Sequence, residues 1–219
     1  MLPAEFHYLA KCPKCDTGKK LLCLASGNTF GAQLWSDAMR HAPMLPQLSP
    51  IQKCEECGHF YFLRDVEMKN ENGYGGETGK LSYEDAKQAF LVLEHERISP
   101  DNLFTLRFEF IHRFNDAFRE IYKHHYGEEK TSTHPDDRCK TDWELHRSNL
   151  KEIIKLLDEN KKDDQLLIAE FYREAGDFEN SLRILERFEP EEEFLAKLKE
   201  RMKKEVEKQN SLVFEITGL

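Results

Sequence analysis

The sequence predicts an α+β protein, with a small β-rich module at the front and a larger all-α part behind it. Three observations carry this prediction. Residues 1–65 hold short apolar runs punctuated by Cys, Gly and Pro. Residues 70–79 (NENGYGGETG) hold four glycines and no aliphatic residue. Beyond them, apolar residues recur with helical rather than strand spacing. The domains are therefore drawn at 1–75 and 76–219. A chain of 219 residues that is 39% hydrophobic and 11% aromatic can fill a core, which argues against global disorder.

In chain order, Phe6, Tyr8 and Ala10 alternate with His7 and Leu9 in a first strand that runs into Cys12. Leu21 to Ala25 and Phe60 to Leu63 are two further strand candidates. After the glycines, Ser82 is placed to cap a helix whose face is Tyr83, Ala86, Phe90 and Leu93. Ser99-Pro100-Asp101 restarts the chain into a long helix reaching about His125. It has two apolar stripes, Phe104, Phe108, Ile111, Phe118, Tyr122 and Leu103, Leu106, Phe110, Phe114, Ile121, so it packs on two sides. Residues 127–140 read as a polar loop. Trp143, His146, Leu150, Ile153, Ile154 and Leu157 mark the next helix. Residues 165–175 and 178–188 form a helical hairpin with Gly176 at the turn. Pro190 is expected in the first turn of a last helix with Phe194, Leu198, Met202 and Val206 inward. Leu212 to Ile216 is a short strand or a docked apolar end.

Net charge is −9, yet residues 1–80 hold nine Lys/Arg and nine Asp/Glu, leaving 23 basic and 32 acidic residues in 81–219. Neither part is basic, which disfavours binding to a nucleic-acid backbone. No apolar run reaches the ~18 residues a membrane span needs. Met1 to Lys11 lacks the basic start and apolar block of a secretory signal, so a reducing cytoplasm is the expected location. There, spaced cysteine pairs hold metal more often than disulfides.

The strongest motif is Cys12-Pro13-Lys14-Cys15 with Cys54-Glu55-Glu56-Cys57-Gly58. Two thiolates so spaced on a tight turn can meet one ion, and two such turns complete a tetrahedral shell. The pattern resembles the zinc-ribbon family, whose knuckles read Cys-Pro-x-Cys-Gly and Cys-x-x-Cys-Gly, with Asp16 departing from the first. The resemblance covers about residues 6–65. The 38 residues between Cys15 and Cys54 exceed a compact ribbon and imply an insertion. The expected cofactor is one structural zinc held by Cys12, Cys15, Cys54 and Cys57, with iron as the alternative. Cys23 is expected in a strand and His59 beside the knuckle, neither as a ligand.

Residues 167–188 carry Ala169, Tyr172, Gly176, Phe178, Ser181 and Leu185. Small residues there let paired helices approach and aromatics fill the gap between hairpins. This order and spacing resembles one tetratricopeptide repeat; an ordinary αα-hairpin stays open as the alternative. The resemblance implies a groove for a protein or peptide partner.

Two weaker constellations remain. Residues 27–50 include Asn28, Thr29, Trp35, Asp37 and Arg40, a mixture suited to a binding loop, although Trp35 and Met44 are expected to fill space between ribbon and helices. His124, His125, His134, Asp136, Asp137, Cys139 and His146 are metal-ligand types without a recognised spacing. No phosphate loop, HExxH or GxSxG occurs, and no catalytic residue is assigned. The function expected is a zinc-binding interaction or adaptor protein. The alternatives are an enzyme with a site near Trp35, Asp37 and Arg40, and a transcription-associated nucleic-acid-binding ribbon.

Overall fold

The computed structural model describes residues 5–24, 28–43, 45, 48–71, 76–77, 79–126 and 140–216. Among them, the strands are β1 (Glu5–Lys11), β2 (Gly18–Leu24), β3 (Gln33–Leu34), β4 (Arg40–His41), β5 (Ile51–Lys53), β6 (Phe60–Phe62) and β7 (Met68–Glu71). The helices are α1 (Tyr83–Leu93), α2 (Pro100–Tyr126), α3 (Lys140–Ile154), α4 (Lys162–Glu174), α5 (Phe178–Arg187) and α6 (Glu193–Glu207). An N-terminal set of small antiparallel sheets and six helices make the chain α+β. Its internal contacts gather it into two compact units, Met1–Ala32 with His41–Phe110, and Gln33–Arg40 with Ile111–Leu219.

In the first unit β1 is the middle strand of the order β2–β1–β7. Tyr8 faces Leu21 on one side and Asn70 on the other. Strands β5 and β6 pair separately, with Ile51 opposite Phe62. Ala10, Leu21, Tyr61 and Leu63 form one buried cluster of this unit together with Cys12 and Cys54. The capping expectation at Ser82 holds: its Oγ accepts from the Asp85 backbone N–H at 3.1 Å. Behind it Phe90 stacks on Phe110, ring centroids 4.9 Å apart.

The glycine-rich stretch differs from a free tether at both ends. Asn70 and Glu71 belong to β7. The Glu77 carbonyl accepts from Leu22 N–H at 3.1 Å, laying that residue along β2. Contacts within the first unit also join residues on either side of position 75. Lys53 Nζ lies 2.6 Å from Asp85 Oδ1, and Asn102 Nδ2 donates to Asp65 Oδ2 at 2.6 Å.

In the second unit α4 and α5 form the expected hairpin. Gly176 turns it with φ 81°, a left-handed conformation that costs glycine nothing. Asp177 caps α5 by accepting from Asn180 N–H at 3.2 Å. The small residues meet as expected, with Ser181 Oγ donating to the Ala169 carbonyl at 2.8 Å. Ile168, Ala169, Ile184 and Leu185 then close a core with Leu198, Met202 and Val206 of α6. Pro190 lies ahead of α6, whose cap is Glu192, so the helix starts later than the sequence suggested. The C-terminal segment is both a bridge and a docked apolar end. Glu215 pairs with Trp35, Ser36 N–H donates to the Phe214 carbonyl at 2.9 Å, and Val213 and Phe214 are fully buried.

Candidate metal centre

Each cysteine pair sits on a turn of the same construction. Cys12 follows β1, and Asp16 N–H returns to the Cys12 carbonyl at 2.9 Å while Cys12 N–H donates to Thr17. Cys54 follows β5, and Gly58 N–H returns to the Cys54 carbonyl at 2.9 Å while Cys54 N–H donates to His59. The residue after each second cysteine is left-handed, Asp16 at φ 61° and Gly58 at φ 68°. Aspartate is among the few non-glycine residues that enter this region at modest cost. The departure at Asp16 therefore preserves the knuckle.

The two turns bring four sulfurs within 4.8 Å of one another. Cys12 Sγ lies 3.7 Å from Cys57 Sγ, and Cys15 Sγ 3.5 Å from Cys54 Sγ. A tetrahedral site with zinc–sulfur bonds of about 2.3 Å separates its sulfurs by about 3.8 Å. The cross-knuckle distances fit that shell, so these four thiols can hold a metal ion. Among the described residues this is the one group of ligand types so arranged; His59 supplies only its backbone.

Burial is uneven. Cys12 and Cys54 are 2% and 4% exposed, Cys57 is half-buried and Cys15 is exposed. The Thr17 hydroxyl, whose Oγ1 lies 3.3 Å from Cys15 Sγ, and the Thr17 backbone hold the Cys15 thiol down to about 6. At Cys57 a bond from the His59 backbone lowers the thiol, but desolvation and the three neighbouring cysteines outweigh it and push the group up to about 12. Tyr61, desolvated against the cluster and facing the charges of Cys12, Cys54 and Cys15, is likewise raised to about 12. Four thiolates this close repel one another, and a divalent cation at their centre removes that repulsion. A cleft of about 260 Å³ beside Cys54 is lined by Thr17, Lys19, Lys20, Glu55, Tyr61 and Glu77. Its two lysines are offset by two glutamates, so its charge selects no anionic ligand.

The other residues singled out by sequence fare differently. Trp35 is 1% exposed, with the Arg119 guanidinium 5.7 Å from its ring centre. Asp37 is fully buried; its carboxylate pairs with Arg119 and accepts from Asn115 Nδ2 at 3.0 Å, and its carbonyl lies 3.1 Å from His112 Nε2. Burial alone would raise the Asp37 carboxyl, but Arg119, His112 and Asn115 together hold it below its ordinary range. Trp35 and Asp37 thus anchor the segment 33–40 inside the second unit. Arg40 lies in β4, half-buried, while Asn28 is exposed and accepts from Phe30 N–H at 3.0 Å. Met44 and Gly27 lie outside the described residues, as do His134, Asp136, Asp137 and Cys139. His124 and His125 belong to the last turns of α2. His146 stacks on Phe114, centroids 3.9 Å apart, with Nε2 3.5 Å from Glu174 Oε2.

The residues that surround Asp37 are not among the candidates named from the sequence. His112, Asn115 and Arg119 recur at helical spacing on α2, a polar line between its apolar stripes that could have been noticed. Glu174 carried no such signal. Comparison with protein-family models, with curated proteins and with solved structures returns no match for this chain.

Proposed function

We propose that this chain is a zinc-binding adaptor, in which Cys12, Cys15, Cys54 and Cys57 hold one structural zinc and the helical part recognises a protein or peptide partner. The observation that carries the first half is the cross-knuckle sulfur spacing of 3.5 and 3.7 Å within a four-cysteine cluster. Four thiolate ligands close a tetrahedral shell and leave no position for substrate, so the ion serves the fold. Zinc is favoured over iron by the zinc-ribbon knuckle pattern; the sulfur set itself suits both. With the metal in place, β1, β5 and the two turns share one cross-link in a module whose core is small.

The second half rests on the α4–α5 hairpin. Its Ala169–Ser181 contact, left-handed Gly176 and half-buried Tyr172 and Phe178 support reading this hairpin as tetratricopeptide-like. The acidic excess beyond residue 80 favours a basic or neutral peptide, and a reducing cytoplasm suits the thiolates. No helix among the described residues is long and apolar enough to cross a membrane.

The test uses the whole chain. Partners captured at low salt and cross-linked through lysines should map to Lys162, Lys197, Lys199 and Lys203, and capture should weaken as salt rises. Cross-links confined to Lys11, Lys14, Lys19 and Lys69 would move recognition to the cysteine module and overturn this half of the proposal.

A further inference from the structure

We infer that Cys15 is an oxidation site, where peroxide links Cys15 to Cys54 as a disulfide and releases the metal. This rests on the metal reading above and adds a mode of control to that same centre.

The geometry assigns the order of events. Metal-bound cysteine is thiolate, and oxidation of a thiolate follows its access to solvent. Cys12 and Cys54 are 2% and 4% exposed, while Cys15 stands exposed at the outer end of its knuckle. Its flanking residues Pro13, Lys14, Asp16 and Thr17 are exposed as well, so among the described residues the approach to Cys15 is open. Among the sulfurs, Cys54 is 3.5 Å from Cys15, on the opposite knuckle. A disulfide bond is about 2.05 Å long, so closure asks for a movement of about 1.5 Å.

The chemistry balances with one peroxide. The Cys15 thiolate attacks one peroxide oxygen and the O–O bond breaks, giving a sulfenic acid and hydroxide. The Cys54 thiolate then attacks that sulfur, forming the S–S bond and expelling a second hydroxide. Two sulfurs have lost two electrons to the peroxide, and two protons from solvent convert the hydroxides to water. Only Cys12 and Cys57 then remain as thiolates, half the ligand set that a tetrahedral zinc would need, so a bound ion would be released. A thiol reductant returns both thiolates and the site refills.

The test takes the reduced full-length protein, measures zinc per chain, then adds hydrogen peroxide in sub-stoichiometric steps with a chromogenic chelator present. Samples are alkylated and their peptides mapped, with and without a sulfenic-acid trap. The expected result is one zinc released per peroxide consumed, a Cys15–Cys54 cross-link as the first product, and the trapped adduct on Cys15. Reductant with added zinc should restore the starting state. A first product joining Cys12 to Cys15 or Cys12 to Cys57 would overturn the inference. So would a first adduct on Cys12, Cys54 or Cys57, or zinc retained under peroxide that consumes free cysteine. Protein without metal at the outset would refute the metal reading by itself, and the cross-link map would still decide for or against the Cys15–Cys54 pairing.

Discussion

Asp16 and Gly58 hold the same left-handed backbone, φ 61° and 68°, each one residue beyond the second cysteine of its knuckle. In both turns the N–H of that residue lies 2.9 Å from the carbonyl of the first cysteine. A Cβ at Gly58 would meet nothing within 4 Å, so a side chain there costs backbone strain alone. Gly58→Ala should therefore destabilise the metal-loaded protein by about 1 kcal/mol. Asp16→Gly should leave stability unchanged or slightly raised, because the Lys11–Asp16 pair it removes is exposed. Denaturant unfolding reads both, and a neutral Gly58→Ala would contradict the shared turn.

The Asp37–Arg119 pair makes a second prediction. Both side chains are buried, 0% and 6% exposed. Removing one charge leaves the other uncompensated, so Asp37→Asn should cost about 3 kcal/mol. Combining it with Arg119→Met should restore part of that loss, which a double-mutant cycle measures. Because the folded-state carboxyl lies below 3.8, its contribution is present above that pH and fades as pH falls through the folded value. Additive single effects would show that the pair is not coupled.

Glu174 behaves oppositely. It is 1% exposed and accepts from Asn115 Nδ2 at 2.8 Å, the same amide that serves Asp37. Burial, then the charges of Glu170 and Asp37, push its carboxyl well above 4.5, against the pull of Arg173 and Asn115. The folded protein therefore holds a proton the unfolded chain releases, and stability falls as pH rises from about 4.5 towards the folded value. Glu174→Gln mimics the protonated form. Its stabilising effect should be absent near pH 4 and grow with pH, as thermal unfolding across pH would show. A pH-independent effect would contradict the buried, protonated carboxyl.

Limited proteolysis addresses whether 1–75 and 76–219 are autonomous. The contacts Lys53–Asp85 and Asp65–Asn102 join the two sides within one unit. A cut between 72 and 79 should therefore give a nicked protein that still elutes as one species, separating only in denaturant. Release of a soluble helical fragment starting near Lys80 would establish the division at 75/76.

Local chemistry was legible in the sequence. The knuckles are defined by residues one to five apart, and Gly176 and Ser82 act on their own turns, so spacing alone exposed them. Strands β5 and β7 were missed because Ile51-Gln52-Lys53 is too short to show alternation and Met68-Lys69-Asn70-Glu71 has one apolar residue. Their place in the sheets comes from pairing with distant partners. The same holds for Asp37, whose partner Arg119 is 82 residues away. Glu170, Arg173 and Glu174 are charged types that usually face water, and only packing reveals that they are 0%, 0% and 1% exposed.

Elemental analysis of full-length protein purified under reducing conditions tests the metal centre most directly. One tetrathiolate site requires about one zinc per chain, lost together with folded structure in strong chelator or at low pH, where the thiolates are protonated. Protein that contains neither zinc nor iron and still folds cooperatively would contradict it.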